Sequence, residues 1–264
     1  MKIIDTHTHY AHKTFNGKQN KILNDLLSCG EFAAVIEAAI GFDSNEKMLK
    51  LCREHANVYA AVGVHPNCLE SFTEEQFEKV KEMIQKDKVL AIGETGLDYY
   101  RKTSSKSMEL QKTWFRRFIE LSLETKKPLV IHSRKLDDDL VEILSEYKDR
   151  FEKYPGIVHC FSGEKEHAEK LIEMGFFLGV GGKFSDDLKI TETLKDIPLD
   201  AIVLETDCPF LLPKGLTDSP NTSLNLPYIV KQLAEIKGVE EQEILEAALK
   251  NTVKVYPVFE KFLR

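Results

Sequence analysis

The sequence lacks the features of secreted, disulfide-stabilised and membrane-spanning proteins. Its five cysteines are an odd number and include no Cys-x-x-Cys pair, which argues against a disulfide framework and favours a reducing compartment. The chain does not open with a basic segment followed by an apolar one, because Asp5 interrupts the first apolar run. No apolar run has the length of a membrane span. We therefore expect a cytoplasmic protein with no membrane partner.

An excess of positive charge is also absent. The net charge of −7 gives no overall attraction to nucleic acid, so a polyanionic partner would need a locally positive surface. No Gly/Ser linker, low-complexity tract or break in composition divides the 264 residues. A chain of this length can bury a substantial core without cross-links. We expect one hydrolase domain over residues 1–264 and no obligate protein partner.

The sequence does contain a regular alternation of short apolar segments with longer amphipathic ones. Continuous apolar runs rich in Val, Ile and Ala are typical of parallel strands buried on both faces. Eight such segments are present, at residues 2–5, 32–40, 58–64, 89–94, 128–132, 156–160, 175–180 and 201–206.

The amphipathic segments predict helices. Thr73 and Gln76 have the spacing of a capping box, and Pro227 stands where a last pair of helices would begin. Eight strand–helix units predict a protein of the α/β class, a (β/α)8 TIM-like barrel with a C-terminal helical extension. The alternative, a doubly wound open sheet, usually carries a Gly-rich first turn, whereas here the first strand runs into THTHYAHK.

Ionisable residues stand at the C-terminal ends of these predicted strands. A single His or Asp in such a place is usually a cap or a hydrogen-bonding residue. In a parallel barrel, however, these strand ends share one rim, the active-site face, and residues i and i+2 of a strand share a side. The rim residues are His7, His9, Glu94, His132, His159 and Asp207.

Several ionised groups in one low-dielectric cavity are costly unless cations balance them, so the pattern predicts a metal site. A tetrahedral catalytic zinc keeps only three protein ligands, and two divalent cations account better for six candidates. We expect Glu94 to bridge one ion on His7, His9 and Asp207 and a second ion on His132 and His159. Mixed imidazole and carboxylate ligands leave Mg²⁺, Mn²⁺ and Zn²⁺ open.

These stretches resemble the TatD family of metal-dependent deoxyribonucleases, within the amidohydrolase-like barrel hydrolases. The matching stretches are IIDTHTH, VGVHP, AIGETGLDYY, VIHSR, HCFSG and LETDCPFL. The resemblance implies a binuclear site on the six rim residues. It also implies hydrolysis of DNA phosphodiesters, typically with Mg²⁺ and often as a 3′-to-5′ exonuclease.

One loop departs from that family. Many members carry an Arg-Asn-Glu-Pro-like stretch after the last strand, where this chain has SPNTSLNLPYIV. Asn221 and Pro227 fit the family pattern, whereas Pro220, Thr222 and Ser223 replace the usual Arg, Glu and Pro. We expect this loop to border the substrate.

The catalytic prediction gives Asp207 and Glu94 direct roles, with Asp207 both holding a metal and accepting a proton from water. For the substrate, DNA, we expect contacts from His65, from Arg134 as a phosphate ligand and from Tyr99. Tyr99 and Tyr100 can each stack on bases, and the alternative for each is packing within the fold. Further positive residues follow the strands at Arg101, Lys102, Lys135, Lys183 and Lys214.

Two other functions are compatible with the sequence. A binuclear amidohydrolase or lactonase would act on a small substrate that is not a nucleic acid, and many such enzymes bridge their metals with a carbamylated lysine. No lysine ends any of the eight predicted strands, which favours the nuclease. A metal-stabilised binding scaffold is the non-enzymatic alternative, but a purely structural site tends to be closed and four-coordinate.

Overall fold

In a computed structural model, eight parallel strands pair in chain order around a barrel. The structure describes residues 2–101, 104–134, 137–182, 184, 187–217 and 219–263. The strands are β1 Ile3–Thr8, β2 Phe32–Ala38, β3 Val58–Val62, β4 Val89–Asp98, β5 Leu129–Arg134, β6 Gly156–His159, β7 Phe177–Val180 and β8 Ile202–Leu204. A parallel bridge between Thr8 and Cys208 joins the first strand to the segment after the last. The predicted barrel and its eight strands are confirmed.

Helices connect the strands and surround them. They are α1 Gln19–Ser28, α2 Phe42–Glu54, α3 Glu74–Ile84, α4 Ser105–Thr125, α5 Asp137–Ser145, α6 Lys165–Glu173, α7 Leu188–Asp196, α8 Leu226–Lys237 and α9 Glu241–Val255. The predicted capping box of Thr73 and Gln76 begins α3, and Pro227 lies in the first turn of α8. None of the helices in the described part of the chain is long and apolar enough to cross a membrane.

The core has two apolar clusters, because successive strand residues point to opposite faces of the sheet. Ile3 and Val35 belong to the larger cluster, which includes buried helix residues, whereas Ile4 and Ile36 belong to a smaller one. Full burial of each such side chain contributes about 1.5–3 kcal/mol. This packing fixes the strands whose C-terminal ends carry the predicted rim residues.

Strand β4 differs from the prediction, which ended it at residue 94. The strand continues to Asp98, and its pairing with β5 shifts register between Ile92 and Thr95. The extra residues pair with the end of β5, so Gly96 lies beside His132 and Asp98 beside Arg134. The extension therefore brings a further carboxylate to the rim.

Candidate metal centre

The two histidines after the first apolar run face the same point of the rim. His7 Nε2 and His9 Nε2 lie 3.1 Å apart, and both side chains are buried. His9 Nδ1 lies 2.8 Å from the carbonyl oxygen of Ala38 and donates to it, which leaves the Nε2 lone pair facing the site. Two imidazole nitrogens at this distance need a proton or a cation between them.

Glu94 is buried between two groups of histidines. Its Oε2 lies 3.4 Å from His7 Nε2 and 3.8 Å from His9 Nε2. Its Oε1 lies 2.7 Å from His132 Nδ1 and 3.9 Å from His159 Nε2. Burial alone would raise the pKa of Glu94, but the charges and hydrogen bonds of the histidines hold that pKa well below its usual range. The two oxygens of one carboxylate thus serve different donor groups.

Asp207 joins the first of these groups across the seam of the barrel. Its Oδ1 lies 3.0 Å from His9 Nε2 and 3.7 Å from His7 Nε2. Its backbone N–H donates to the carbonyl oxygen of His7 at 3.0 Å, and its φ of +55° turns the chain at this point. Burial opposes ionisation, yet the hydrogen bond that His9 donates when its ring is protonated, together with the nearby histidine charges, lowers the pKa of Asp207.

His159 completes the cluster, supported by a residue that the sequence analysis missed. Its ring stacks on that of His7 with centroids 3.6 Å apart, and its Nδ1 lies 2.8 Å from Glu205 Oε1. Glu205 is fully buried and accepts the backbone N–H of Cys160 at 2.6 Å. Burial opposes protonation of His159, but Glu205 and the charges of Asp207 and Glu94 together outweigh it and raise the pKa of His159 to about 10. A Cβ at Gly179 would collide with the Glu205 carboxylate, so that glycine makes room for it.

Asp98 is the second missed residue. Its Oδ2 lies 3.2 Å from His132 Nε2 and accepts a hydrogen bond from Asn67 Nδ2 at 2.8 Å. His132 therefore stands between two carboxylates, Asp98 at one nitrogen and Glu94 at the other. Burial opposes protonation of His132, but the hydrogen bonds that its ring donates to these two carboxylates raise the pKa of His132. Asp98 fixes the orientation of the ring.

His65 reaches the centre as a hydrogen-bond donor. Its Nδ1 accepts the backbone N–H of Asn67 at 3.1 Å, so the proton of a neutral ring lies on Nε2. That Nε2 is 3.6 Å from Glu94 Oε1. Burial, followed by the positive charge of His132, lowers the pKa of His65 to about 3. A neutral N–H aimed into the site suits the predicted contact with substrate.

The stacking prediction for Tyr99 is wrong, because its side chain is only 5% exposed and its hydroxyl donates to Asp139 at 3.1 Å. The next residue, Tyr100, is 49% exposed. The guanidinium carbon of Arg134 lies 3.9 Å from the centroid of the Tyr100 ring. Of the other predicted positive residues, Arg101 and Lys214 are exposed, and Lys102, Lys135 and Lys183 lie outside the described residues.

The divergent SPNTS loop supports the centre from behind. Asn221 Nδ2 donates to the carbonyl oxygens of Thr206 and Phe210 at 3.0 and 2.7 Å. The Ser223 hydroxyl donates to Asp5 Oδ2 at 2.7 Å, and that oxygen also accepts the Thr206 hydroxyl at 2.6 Å. Asn221 and Ser223 are fully buried. These two buried residues therefore hold the segment that carries Asp207, and the predicted border with the substrate stays a prediction for the rest of the loop.

The donor set fits divalent cations. Four imidazoles and two carboxylates converge within hydrogen-bonding or ion-pair distance around Glu94. His7 Nδ1 is buried with no hydrogen-bond partner among the described residues, so Nε2 is the nitrogen through which this ring meets the other groups of the site. The fold and this donor set together define a barrel enzyme with a candidate centre for divalent cations.

Comparison with known proteins gives the family. A family model described as "TatD related DNase" matches residues 4–257, and the chain belongs to this family, as its motifs indicated. The chain is 33% identical over 260 residues to "Uncharacterized metal-dependent hydrolase YabD" of Bacillus subtilis, covering 97% of this chain and 99% of that protein. It is 32% identical over 213 residues to "3'-5' ssDNA/RNA exonuclease TatD" of Cronobacter sakazakii, covering 78% and 79%.

A solved structure confirms the fold. The crystal structure of the TatD homologue YjjV from Escherichia coli superposes with a TM-score of 0.86 at 29% identity. The match covers 97% of this chain and 98% of that one. Family membership and fold together assign the chain to the hydrolases.

Proposed function

We propose that this protein is a metal-dependent nuclease that hydrolyses DNA phosphodiester bonds from the 3′ end. The proposal rests mainly on Glu94, whose two carboxylate oxygens face separate histidine groups. With one cation at each oxygen, Glu94 would hold a pair of divalent ions, which together would assist phosphoester hydrolysis. The name of the Cronobacter relative supports the substrate class and the direction of cutting.

One ion would be held by His7, His9, Asp207 and Glu94 Oε2. The second would be held by His132, His159 and Glu94 Oε1. Bound divalent cations supply Lewis acidity and favour ionisation of water near neutral pH. We expect Mg²⁺ in function, and the mixed imidazole and carboxylate ligands also suit Mn²⁺ or Zn²⁺.

The chain's own groups carry out the remaining chemistry. Asp207, whose pKa is lowered, accepts the proton of the attacking water. The water oxygen bonds to phosphorus, the bond from phosphorus to the leaving O3′ breaks, and that oxygen takes a proton from solvent, to which Asp207 then releases the proton it accepted. The Nε2–H of His65 donates to a phosphate oxygen, and Arg134 binds the neighbouring phosphate. Tyr100 and Phe210, both exposed, offer faces on which bases can stack.

The test uses single-stranded DNA labelled at either end and incubated with Mg²⁺, Mn²⁺ or Zn²⁺. We expect a ladder that shortens from the 3′ end and disappears with EDTA or in Glu94→Gln. Unchanged cutting by Glu94→Gln would show a contaminating nuclease. Turnover of a panel of small esters and lactones, with DNA left intact, would overturn the proposal in favour of the small-substrate hydrolase.

A further inference from the structure

A cavity of about 430 Å³ opens beside the candidate centre. His132, His159 and Asp207 form part of its lining. A group held in the cavity would therefore lie directly beside the reacting phosphorus. The proposed chemistry uses these polar groups, but it assigns no occupant to the rest of the cavity.

The rest of the lining is largely apolar. It includes two aromatic rings and several aliphatic side chains from the ends of the strands and from α7, namely Phe161, Val180, Phe184, Ile190, Leu194 and Leu211. Phe161, Phe184 and Leu194 are buried and belong to the larger apolar cluster, so this wall of the cavity is part of the protein core. A space of this kind accepts the end of a substrate more readily than its middle.

We propose that this cavity binds the unpaired base of the 3′-terminal nucleotide, an inference that rests on the proposed nuclease function. A nucleic acid strand places a planar aromatic ring next to each phosphate, and every base offers a face that packs on aromatic and aliphatic side chains regardless of its sequence. The volume matches pockets for single small ligands and is too small for a base pair with its two backbones.

The residues at the edge of the cavity also suit a terminal nucleotide. Arg134 belongs to the lining, and its guanidinium lies against the exposed ring of Tyr100. A cation at the mouth and an exposed aromatic ring beyond it suit the next phosphate and the next base of the same strand. The base of a duplex end would have to separate from its partner before it entered.

The experiment compares two single strands that differ only in the last nucleotide, one normal and one carrying a reduced abasic sugar. We expect the wild-type protein to release the normal terminal nucleotide with about a tenfold higher kcat/KM, as loss of one stacked base predicts. This comparison needs no variant. Equal kcat/KM values for the two strands would overturn the inference.

A matched pair of variants on α7 then locates the base. Ile190→Trp fills the cavity, whereas Leu188→Trp adds the same ring at a position that is 82% exposed and outside the lining. We expect Ile190→Trp to lower kcat/KM on the normal strand by about tenfold with little further loss on the abasic strand. Leu188→Trp should preserve the wild-type preference.

A failure of this inference can be distinguished from a failure of the proposed nuclease function. If Ile190→Trp lowers kcat/KM equally on both strands, the base lies elsewhere, because the effects of independent changes add. That result would overturn the inference and leave the proposed nuclease function standing. If the wild-type protein degrades neither strand with any of the three cations, the proposed function itself fails.

Discussion

The two ends of the candidate centre are held in different ways. We call His7, His9 and Asp207 the anchored half, because main-chain hydrogen bonds hold it: His9 N–H donates to Cys208 and Asp207 N–H donates to His7 across the barrel seam. We call His65, Asp98 and His132 the open half. Its side chains also hold one another, because Asp98 lies 3.2 Å from His132 and accepts a hydrogen bond from Asn67. The side chains of His65 and His132 are 14% and 15% exposed, against 0% and 4% for His7 and His9.

This difference indicates that the two halves have different roles. The anchored half forms only when the barrel closes, so its geometry depends on the fold itself. His132 of the open half lines the cavity, and its orientation depends on the chain from Asn67 through Asp98 to His132. We therefore expect the anchored half to fix a cation firmly and the open half to adjust around the substrate. Substitutions can break or sharpen this contrast.

The largest effect is expected from Asp207→Asn, in the anchored half. The asparagine amide has nearly the same shape as the carboxylate, but it lacks the negative charge that lies beside His7 and His9. It also cannot accept the proton of water. We expect kcat to fall by about 10²–10⁴-fold, the usual contribution of a positioned acid or base. Metal analysis after desalting should also show less bound cation than in the wild-type protein. Activity within a few-fold of wild type would remove Asp207 from the mechanism.

Asp98→Asn in the open half should have a smaller effect. Asp98 acts through His132, and loss of such a supporting carboxylate typically costs about 10–100-fold in metal affinity or activity. Because the ligands themselves remain, we expect a higher metal concentration to restore much of the rate. Titrating activity against Mg²⁺ or Mn²⁺ for the variant and the wild type measures this. A loss as deep as that of Asp207→Asn, with no recovery, would make Asp98 a direct ligand.

The anchored half was easier to predict from sequence than the support around the centre. Continuous apolar runs indicate the strands, and a parallel barrel brings the ends of its strands together, so the amino-acid sequence alone was enough to group His7, His9 and Asp207. Asp98 was missed because the apolar run stops at residue 94, whereas the strand continues with a register shift. The signal that the sequence offered was the position of Asp98 itself, four residues after Glu94 in GETGLD.

Glu205 and Tyr99 show another limit of sequence reasoning. Glu205 stands two residues before Asp207, and only the fold shows that its carboxylate meets His159 in the space left by Gly179. Tyr99 and Tyr100 are adjacent and chemically identical, yet one is buried and the other exposed. Which of two neighbouring rings faces solvent depends on the exact end of the strand, which residue types alone do not determine.

The smallest effect on activity is expected from Ser223→Ala, behind the anchored half. The substitution removes one donor from the buried carboxylate of Asp5 and the acceptor of the buried Tyr10 hydroxyl. A buried polar group that loses its partner costs about 1–3 kcal/mol of the free energy of unfolding. Thr206 still donates to the same carboxylate, so we expect activity to stay within about tenfold of wild type. Urea denaturation and the oligonucleotide assay measure the two quantities.

Thr222→Ala is the matched control, because Thr222 precedes Ser223 in the same loop but is only partly buried. We expect its free energy of unfolding to change by less than about 0.5 kcal/mol, as for most surface substitutions. If Ser223→Ala unfolds no more easily than Thr222→Ala but loses most of its activity, the serine faces the reaction. The loop would then border the substrate, and the anchored half would be as open as the other.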